Sequence, residues 1–327
     1  MKLWVVLFCI VASSVCVLSP GMSAQTRRSP AGPEGENTTA VAFQIRNVNM
    51  LLTRDIILGI RSLRGELQRT QPQVPVTFDN SDSFVVNADS AEIHIPTSSM
   101  TALMNSYVFG YKEAPIKKVT VSIENGKLIQ RGTVHKGVDL PFEMEASLSV
   151  TQDGKVRVHA DKIKAEHFPV KGLLHLLGAD LEKLIHDNPG RGVQAENDDL
   201  ILAPSSMTPP PHIHGRVVRV SLVGDSIVLY FDSGRHPSVL KPPLDTGAYI
   251  YHRGGILRFG RLTMNDADLE IVGDRAGSFN FFLHEYKKQL VAGYSKNTET
   301  NGLVSHMVDY SHFEPQLISR AQTASQH

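Results

Sequence analysis

Residues 119–165 alternate apolar and polar side chains with a period of two. One side of residues 142–150 is apolar, with Phe142, Met144, Ala146, Leu148 and Val150. The other side is polar, with Glu143, Glu145, Ser147 and Ser149. Such alternation is typical of strands that have one buried face and one solvated face. Asn125-Gly126 and Asp153-Gly154 are strong hairpin signals. The pattern therefore predicts antiparallel strands at 116–123, 127–134, 140–151 and 155–165.

Other segments repeat apolar residues every three to four positions, which is typical of amphipathic helices. In residues 47–70 these are Leu52, Ile56, Ile60, Leu63 and Leu67. The predicted helix packs these apolar residues against the core. Alternatively, because arginines lie between them, it is a basic amphipathic helix that touches anionic lipid. A second predicted helix follows the potential N-cap Thr97-Ser98-Ser99 and carries Met100, Leu103, Met104, Tyr107 and Val108. A last helix is predicted at 279–293.

A leucine-rich helix is predicted at 170–186, directly after the alternating segment. Its apolar side chains cover more than half of its circumference and include Leu173, Leu174, Leu176, Leu177, Leu181, Leu184 and Ile185. A half-solvated antiparallel sheet needs a cover for its apolar face. This helix is therefore either buried against the sheet or lines a cavity for an acyl chain.

The remaining pattern predicts strands at 83–95 and 193–203, two strands in 215–232 around Gly224-Asp225, a loop at 234–247, and a strand pair at 249–259 and 261–272. No alternating βαβ order is present. The fold class is therefore α+β with an antiparallel meander.

The N-terminus has the pattern of a secretory signal at residues 1–24. Lys2 precedes an apolar run from Leu3 to Leu18, and small residues at Gly21, Ser23 and Ala24 allow cleavage. An uncleaved anchor is the alternative. Both cysteines lie inside this segment, so the mature chain has no disulfide. We expect an exported protein, periplasmic or extracellular, whose residues 25–45 form a disordered linker.

The charge balance argues against a nucleic-acid partner, because 33 basic residues match 33 acidic residues. No P-loop or dinucleotide fingerprint is present, and we expect no cofactor. His212 and His214 have the spacing of two metal ligands on a strand, and Asp198, Asp199 and His159 are the candidates for a third ligand. The spacing does not bring any of them to the pair, so a surface pair is favoured over a metal site. Asp266-x-Asp268 is interpreted as a loop rather than as a calcium site.

Gly224-Asp225-Ser226, together with the late Asp309-x-x-His312, has the composition of a serine esterase site. A nucleophilic serine of that kind lies where a strand turns into a helix. Ser226 instead precedes the strand-like residues 227–231, so a hairpin turn is favoured over a nucleophile.

The order of elements in residues 46–232 resembles the tubular lipid-binding (TULIP-like) superfamily, and most of all its exported bacterial LmeA-like lipid-binding proteins. The resemblance rests on a strand, a Ser/Thr-capped helix, the hairpin meander and the leucine helix of residues 126–185, and a following strand. It implies a curved antiparallel sheet wrapped around amphipathic or apolar helices, with an apolar tunnel and no catalytic residues. Residues 233–313 would form a C-terminal extension with a loop, a hairpin and a helix, and 314–327 a polar tail.

The sequence thus predicts an exported protein that holds a phospholipid-like or other acyl ligand between sheet and helices, with transient contact to a membrane surface. The predicted ligand-binding residues are Met100, Leu103, Met104, Tyr107, Phe142, Met144, Leu148, Leu173, Leu176, Leu177, Leu181, Leu184 and Phe231. One alternative is a non-catalytic envelope scaffold that binds a protein partner. A second is a secreted esterase that uses Ser226 and His312.

Overall fold

A computed structural model of the chain describes residues 40–112, 114, 116–136, 138–165, 192–196, 199–274 and 277–314. This part of the chain is mostly strand, with a curled and largely antiparallel sheet and a few short helices. The predicted signal at 1–24, the leucine helix at 170–186 and nearly all of the tail at 314–327 lie outside the described residues. None of the described helices combines the length and the apolar character that a membrane crossing requires.

The main sheet has 11 strands. They are β1 (Ala40–Leu51), β2 (Ile57–Arg69), β4 (Phe84–Pro96), β11 (Ile213–His214), β12 (Val217–Val223), β13 (Ser226–Asp232), β14 (Tyr249–Arg253), β17 (Asp268–Gly273), β18 (Phe279–Phe282), β19 (Tyr294–Asn297) and β20 (Leu303–Met307). The order is β12-β13-β4-β2-β1-β14-β17-β20-β19, while β11 pairs with β4 and β18 pairs with β1.

A second sheet has six strands in the order β5-β6-β7-β8-β10-β9. They are β5 (Ile116–Glu124), β6 (Lys127–Lys136), β7 (Val138–Val150), β8 (Val156–Ala165), β9 (Val193–Glu196) and β10 (Asp199–Leu202). A small third sheet joins β3 (Val76–Thr77), β15 (Leu257–Phe259) and β16 (Leu262–Met264).

Helices occupy little of the described chain. They are α1 (Thr97–Leu103), which continues as one π-helical turn (Met104–Val108), α2 (Pro204–Met207) and α3 (Tyr286–Ala292). Single 3₁₀ turns lie at Ser81–Ser83, Leu283–Glu285 and Tyr310–His312. One cluster of buried apolar side chains runs from the main sheet into the six-stranded sheet.

The predicted four-stranded meander is confirmed as β5 to β8. Phe142, Met144 and Ala146 are buried, and Leu148 and Val150 are half-buried on the same face. At the first turn Asn125 and Gly126 have φ values of 53° and 72°. Positive φ at both central residues is what a tight two-residue hairpin requires, and Asn-Gly adopts it readily.

The helix predicted at 47–70 is wrong, because these residues form the end of β1 and all of β2. A register shift between Ile60 and Ser62 in the pairing with β4 marks a bulge at Arg61. The bulge moves the buried positions from Leu58 and Ile60 to Leu63 and Leu67. The three-residue step from Ile60 to Leu63 therefore imitates a helical period. Because these residues form strands, the alternative of a basic amphipathic helix that touches anionic lipid is also wrong.

The helix predicted at 279–293 is wrong in its first half. Phe279, Asn280, Phe281 and Phe282 form β18, which runs parallel to β1, and α3 begins only at Tyr286. All four strand residues are buried, and periodicity cannot distinguish such a run from a buried helix.

Strand boundaries also differ from the prediction. Residues 193–203 contain two strands, β9 and β10, and the two strands β19 and β20 were not predicted. β1 begins at Ala40, inside the predicted linker at 25–45. The main sheet contains strands from both sides of the predicted division at residue 232, since β1 pairs with β14.

Gly65 allows β2 and β4 to approach closely. A Cβ atom at Gly65 would lie 2.0 Å from the carbonyl oxygen of Asn87, whereas one at Gly59 would meet its nearest neighbour at 3.4 Å. We therefore expect Gly65→Ala to lower the free energy of unfolding by about 1–3 kcal/mol, the usual cost of overpacking. Gly59→Ala, on the same strand, should change it by less than about 1 kcal/mol. Urea denaturation measures both, and equal effects would contradict the close approach.

Candidate apolar binding site

The six-stranded sheet carries ion pairs on its outer face. Arg131 lies 2.8 Å from both Glu124 and Glu143, and Lys164 lies 2.8 Å from Glu143. A hydrogen bond from Lys164, and to a smaller extent one from Arg131, lowers the pKa of Glu143. Each of these exposed ion pairs contributes little to stability, but their charges favour contact of this face with solvent. The opposite face of the sheet, which carries Phe142 and Met144, therefore packs inward.

Helix α1 connects this sheet to the main sheet through side-chain hydrogen bonds. Ser99 Oγ accepts from the Ile57 amide of β2 at 3.0 Å. Asn105 accepts from the Val119 amide at 2.9 Å and donates to the Val119 carbonyl at 2.6 Å, and Thr101 Oγ1 accepts from the Val121 amide at 2.9 Å. These contacts satisfy backbone groups on the outer edge of β5, so α1 is fixed against both sheets.

The predicted cap of α1 is not formed. Pro96 is the N-cap residue, and no side chain caps this helix end. The Thr97 amide instead donates to the carbonyl of Asp225 at 2.9 Å. Ser99, predicted as one of the capping residues, is turned toward β2.

A cavity of about 80 Å³ lies where the apolar face of the six-stranded sheet meets α1, β4 and β13. We call it the inter-sheet cavity. Its described lining residues are Ile95, Met100, Leu103, Met104, Phe109, Val121, Leu128, Gln130, Leu148, Val156, Val158, Val193, Leu200, Leu202, Pro204, Met207, Thr208, Ile227 and Leu229. None of these carries a charge, and the polar side chains among them are Gln130 and Thr208.

Four of the predicted ligand-binding residues line this cavity: Met100, Leu103, Met104 and Leu148. Phe142, Met144 and Phe231 are buried in the core and Tyr107 is half-buried, but they are not among the described lining residues. Leu173, Leu176, Leu177, Leu181 and Leu184 lie outside the described residues. The predicted list contains none of the lining residues of β4, β5, β6, β8, β9, β10, α2 and β13. The apolar run at residues 200–202 is the sequence signal from which the contribution of β10 could have been predicted.

A second cavity of about 50 Å³, the inner cavity, lies on the buried face of the main sheet. Its lining residues come mainly from β1, β2, β4, β14 and β18, and include Phe43, Ile60, Phe78, His252 and Phe281. The ring of His252 lies 5.5 Å from that of Phe78 and 6.3 Å from that of Phe43. His252 is 1% exposed, and its Nδ1 has no hydrogen-bond partner among the described residues.

The residues of the alternative esterase site are engaged in separate structural contacts. Ser226 is buried at the start of β13, and its hydroxyl donates to Asp225 at 3.2 Å. Asp309 accepts from the amide and side chain of Asn280 and from the amide and hydroxyl of Ser311. His312 Nδ1 lies 3.5 Å from Asp274. Among the described hydrogen bonds, none joins Ser226 to His312.

The predicted metal-ligand pair contributes to β11 and the loop before it. His214 is exposed, and the His212 carbonyl accepts from the Val86 amide at 2.9 Å. In the part of the chain that is described, no three His, Cys, Asp or Glu side chains are grouped as metal ligands would be. Asp268 contacts Arg253 at 2.6 Å and accepts from the Tyr251 hydroxyl.

Comparisons of the chain with profiles of protein families, with curated proteins and with solved structures found no match.

Asn105 is the side chain that connects α1 to β5. We expect Asn105→Ala to lower the free energy of unfolding by about 2 kcal/mol, because it leaves the Val119 backbone groups without partners. Asn87→Ala, which removes an exposed side-chain hydrogen bond to Gln68, should change it by less than about 0.5 kcal/mol. Chemical denaturation of both variants tests this, and an Asn105→Ala protein as stable as the parent would contradict the anchoring role.

Burial lowers the pKa of His252 to about 4. In the unfolded chain the imidazole titrates near 6.5. The unfolded state therefore binds the proton first, so the contribution of neutral His252 is complete above about pH 6.5 and is lost as pH falls toward 4. This loss amounts to up to about 3 kcal/mol of the free energy of unfolding, and we expect it to be absent in His252→Phe. Unfolding measured from pH 8 to pH 4 checks this, and parallel profiles for the two proteins would contradict it.

Proposed function

We propose that the protein is an exported lipid-binding protein that holds an acyl ligand in the inter-sheet cavity. The observation that carries the proposal is an almost wholly apolar cavity between a half-solvated sheet and a helix that is fixed to both sheets. Small-molecule sites are typically concave and apolar with a few polar groups. The resemblance of residues 46–232 to tubular lipid-binding proteins and the signal-like N-terminus support the same function.

The lining of the cavity favours a flexible, apolar ligand. Met100, Met104 and Met207 all contribute to it, and methionine side chains adapt to irregular shapes at little cost. Each buried methylene of a ligand contributes about 0.8 kcal/mol, so a chain of ten carbons gains about 8 kcal/mol before the cost of association. Few polar contacts are then needed for binding.

The volume sets a condition on binding. About 80 Å³ is less than the roughly 150 Å³ of an engineered cavity that holds benzene. A bound acyl chain therefore requires the walls to move apart. In this proposal, the curved sheet closes on the acyl chain, with α1 as one wall of the site. The protein thereby carries a phospholipid-like or other acyl lipid.

The first test of this function is native mass spectrometry of the protein purified without detergent, followed by solvent extraction. A mass excess of several hundred daltons that extracts as lipid would support the proposal. A bare polypeptide mass that stays unchanged after incubation with liposomes would contradict it. The same chain would then fit the alternative of an envelope scaffold, provided that it co-purifies with a protein partner.

A filled cavity should exclude the ligand. Val158 lines the cavity, and Val134 is buried in the same sheet but is not among the described lining residues. We expect Val158→Phe to reduce the bound lipid several-fold, since the ring occupies the space. Val134→Phe should retain the lipid and lose about 1–3 kcal/mol of stability through overpacking. Native mass spectrometry with thermal unfolding compares the two, and equal lipid content would contradict the assignment of the cavity.

A further inference from the structure

Gln130 departs from the apolar pattern of the face on which it lies. On β6 the inward positions are occupied by Leu128, Gln130 and Val134, all of them buried. Gln130 is 8% exposed and lines the inter-sheet cavity. No hydrogen bond of its side-chain amide to another described residue is present, although this amide can donate twice and accept at its oxygen. An amide that lines an apolar cavity without a partner from the described residues is unfavourable there, so this position favours a ligand that supplies one.

Thr208 brings a second unpaired polar group to the same cavity. It follows α2 and is 7% exposed, and its Oγ1 is buried without a hydrogen-bond partner among the described residues. Gln130 and Thr208 are far apart in the sequence and belong to different elements. Their meeting at one cavity is therefore a product of the fold.

The charge of the cavity limits the chemistry of the ligand. None of the described lining residues is Lys, Arg or His, so none of them can neutralise a phosphate or a carboxylate. Burying an unpaired anion costs far more than burying a neutral oxygen. An ionised headgroup would therefore remain outside this part of the cavity.

We infer that Gln130 and Thr208 bind an uncharged oxygen function, a hydroxyl or an ester, on an otherwise apolar chain. The amide N–H of Gln130 donates to that oxygen, and the hydroxyl of Thr208 donates or accepts beside it. This inference rests on the proposed function and adds to it the polar group by which the cavity selects its ligand.

The test compares 1-octanol with n-nonane, which has the same number of heavy atoms but no oxygen. Headspace gas chromatography over the full chain gives both affinities. We expect the ratio of octanol to nonane affinity to fall about tenfold in the double variant Gln130→Leu/Thr208→Val, since neutral hydrogen bonds of this kind account for about one order of magnitude. Gln194→Leu, an exposed glutamine on β9, should leave the ratio unchanged.

The outcomes separate this inference from the proposed function. If the parent binds neither compound, the proposed function fails and the inference with it. If the parent binds both and the double variant has the same ratio, the cavity binds apolar ligands but the polar contact is refuted. Octanoate at pH 8 that binds as tightly as octanol would refute the requirement for an uncharged group.

Stability gives an independent readout that needs no ligand. If the Gln130 amide is unpaired in the empty protein, Gln130→Leu should leave the melting temperature unchanged or raise it. A clear fall in the melting temperature would mean that the amide already has a partner within the protein, and the inference would be overturned.

Discussion

Neighbouring strands of the main sheet must keep one apolar face continuous while each of them bends. β1 buries Val41, Phe43 and Ile45, and after Asn47, which has a φ of 49°, it buries Val48. On β2 the buried positions step from Leu58 and Ile60 to Leu63 at the bulge, and on β4 they step from Val86 and Ala88 to Ala91 and Ile93 around Asp89. Bulges bend strands and increase their twist. These steps therefore produce the curl of the sheet and hold its apolar side chains together around the inner cavity.

The same steps explain which part of the fold could be predicted from the sequence. The strands β5 to β8 alternate through most of their length, and two of their three hairpins carry Asn-Gly or Asp-Gly, so the strands and these two turns could be recognised from the sequence. In β1, β2 and β4 the alternation breaks in the middle of the strand. A break of this kind in residues 56–67 gives the spacing of a helix, and only the pairing with β4 resolves it. The strand β18 could not be predicted from the sequence for another reason. It is buried on both faces and pairs with a strand more than 200 residues away in sequence.

The candidate site was predictable where it depends on local pattern. Met100, Leu103 and Met104 share the apolar face of a short helix, and Leu148 lies on the apolar face of a regular strand. The other walls come from β8, β9, β10, α2 and β13, whose meeting depends on pairing between distant segments. Gln130 and Thr208 were missed because neither residue type is unusual in a sequence. Their interest arises only from burial without partners, which is a property of the folded chain.

The two cavities differ in how their walls are held, and this difference favours the inter-sheet cavity over the inner cavity as the site of the proposed ligand. The walls of the inner cavity belong largely to one sheet, in which β1 is hydrogen-bonded to β2, β14 and β18, so widening it would break strand ladders. The inter-sheet cavity lies between two sheets whose described strands do not pair with one another. They are joined by α1, by α2, which follows β10 and contacts β11, and by contacts between the β7–β8 turn and the start of β12. There the Val217 amide donates to the Gly154 carbonyl at 3.1 Å. Its walls are held mainly by packed side chains, three of them methionines. In the proposed function, an acyl chain that enters there would replace apolar contacts with apolar contacts, and the backbone hydrogen bonds of both sheets would stay intact.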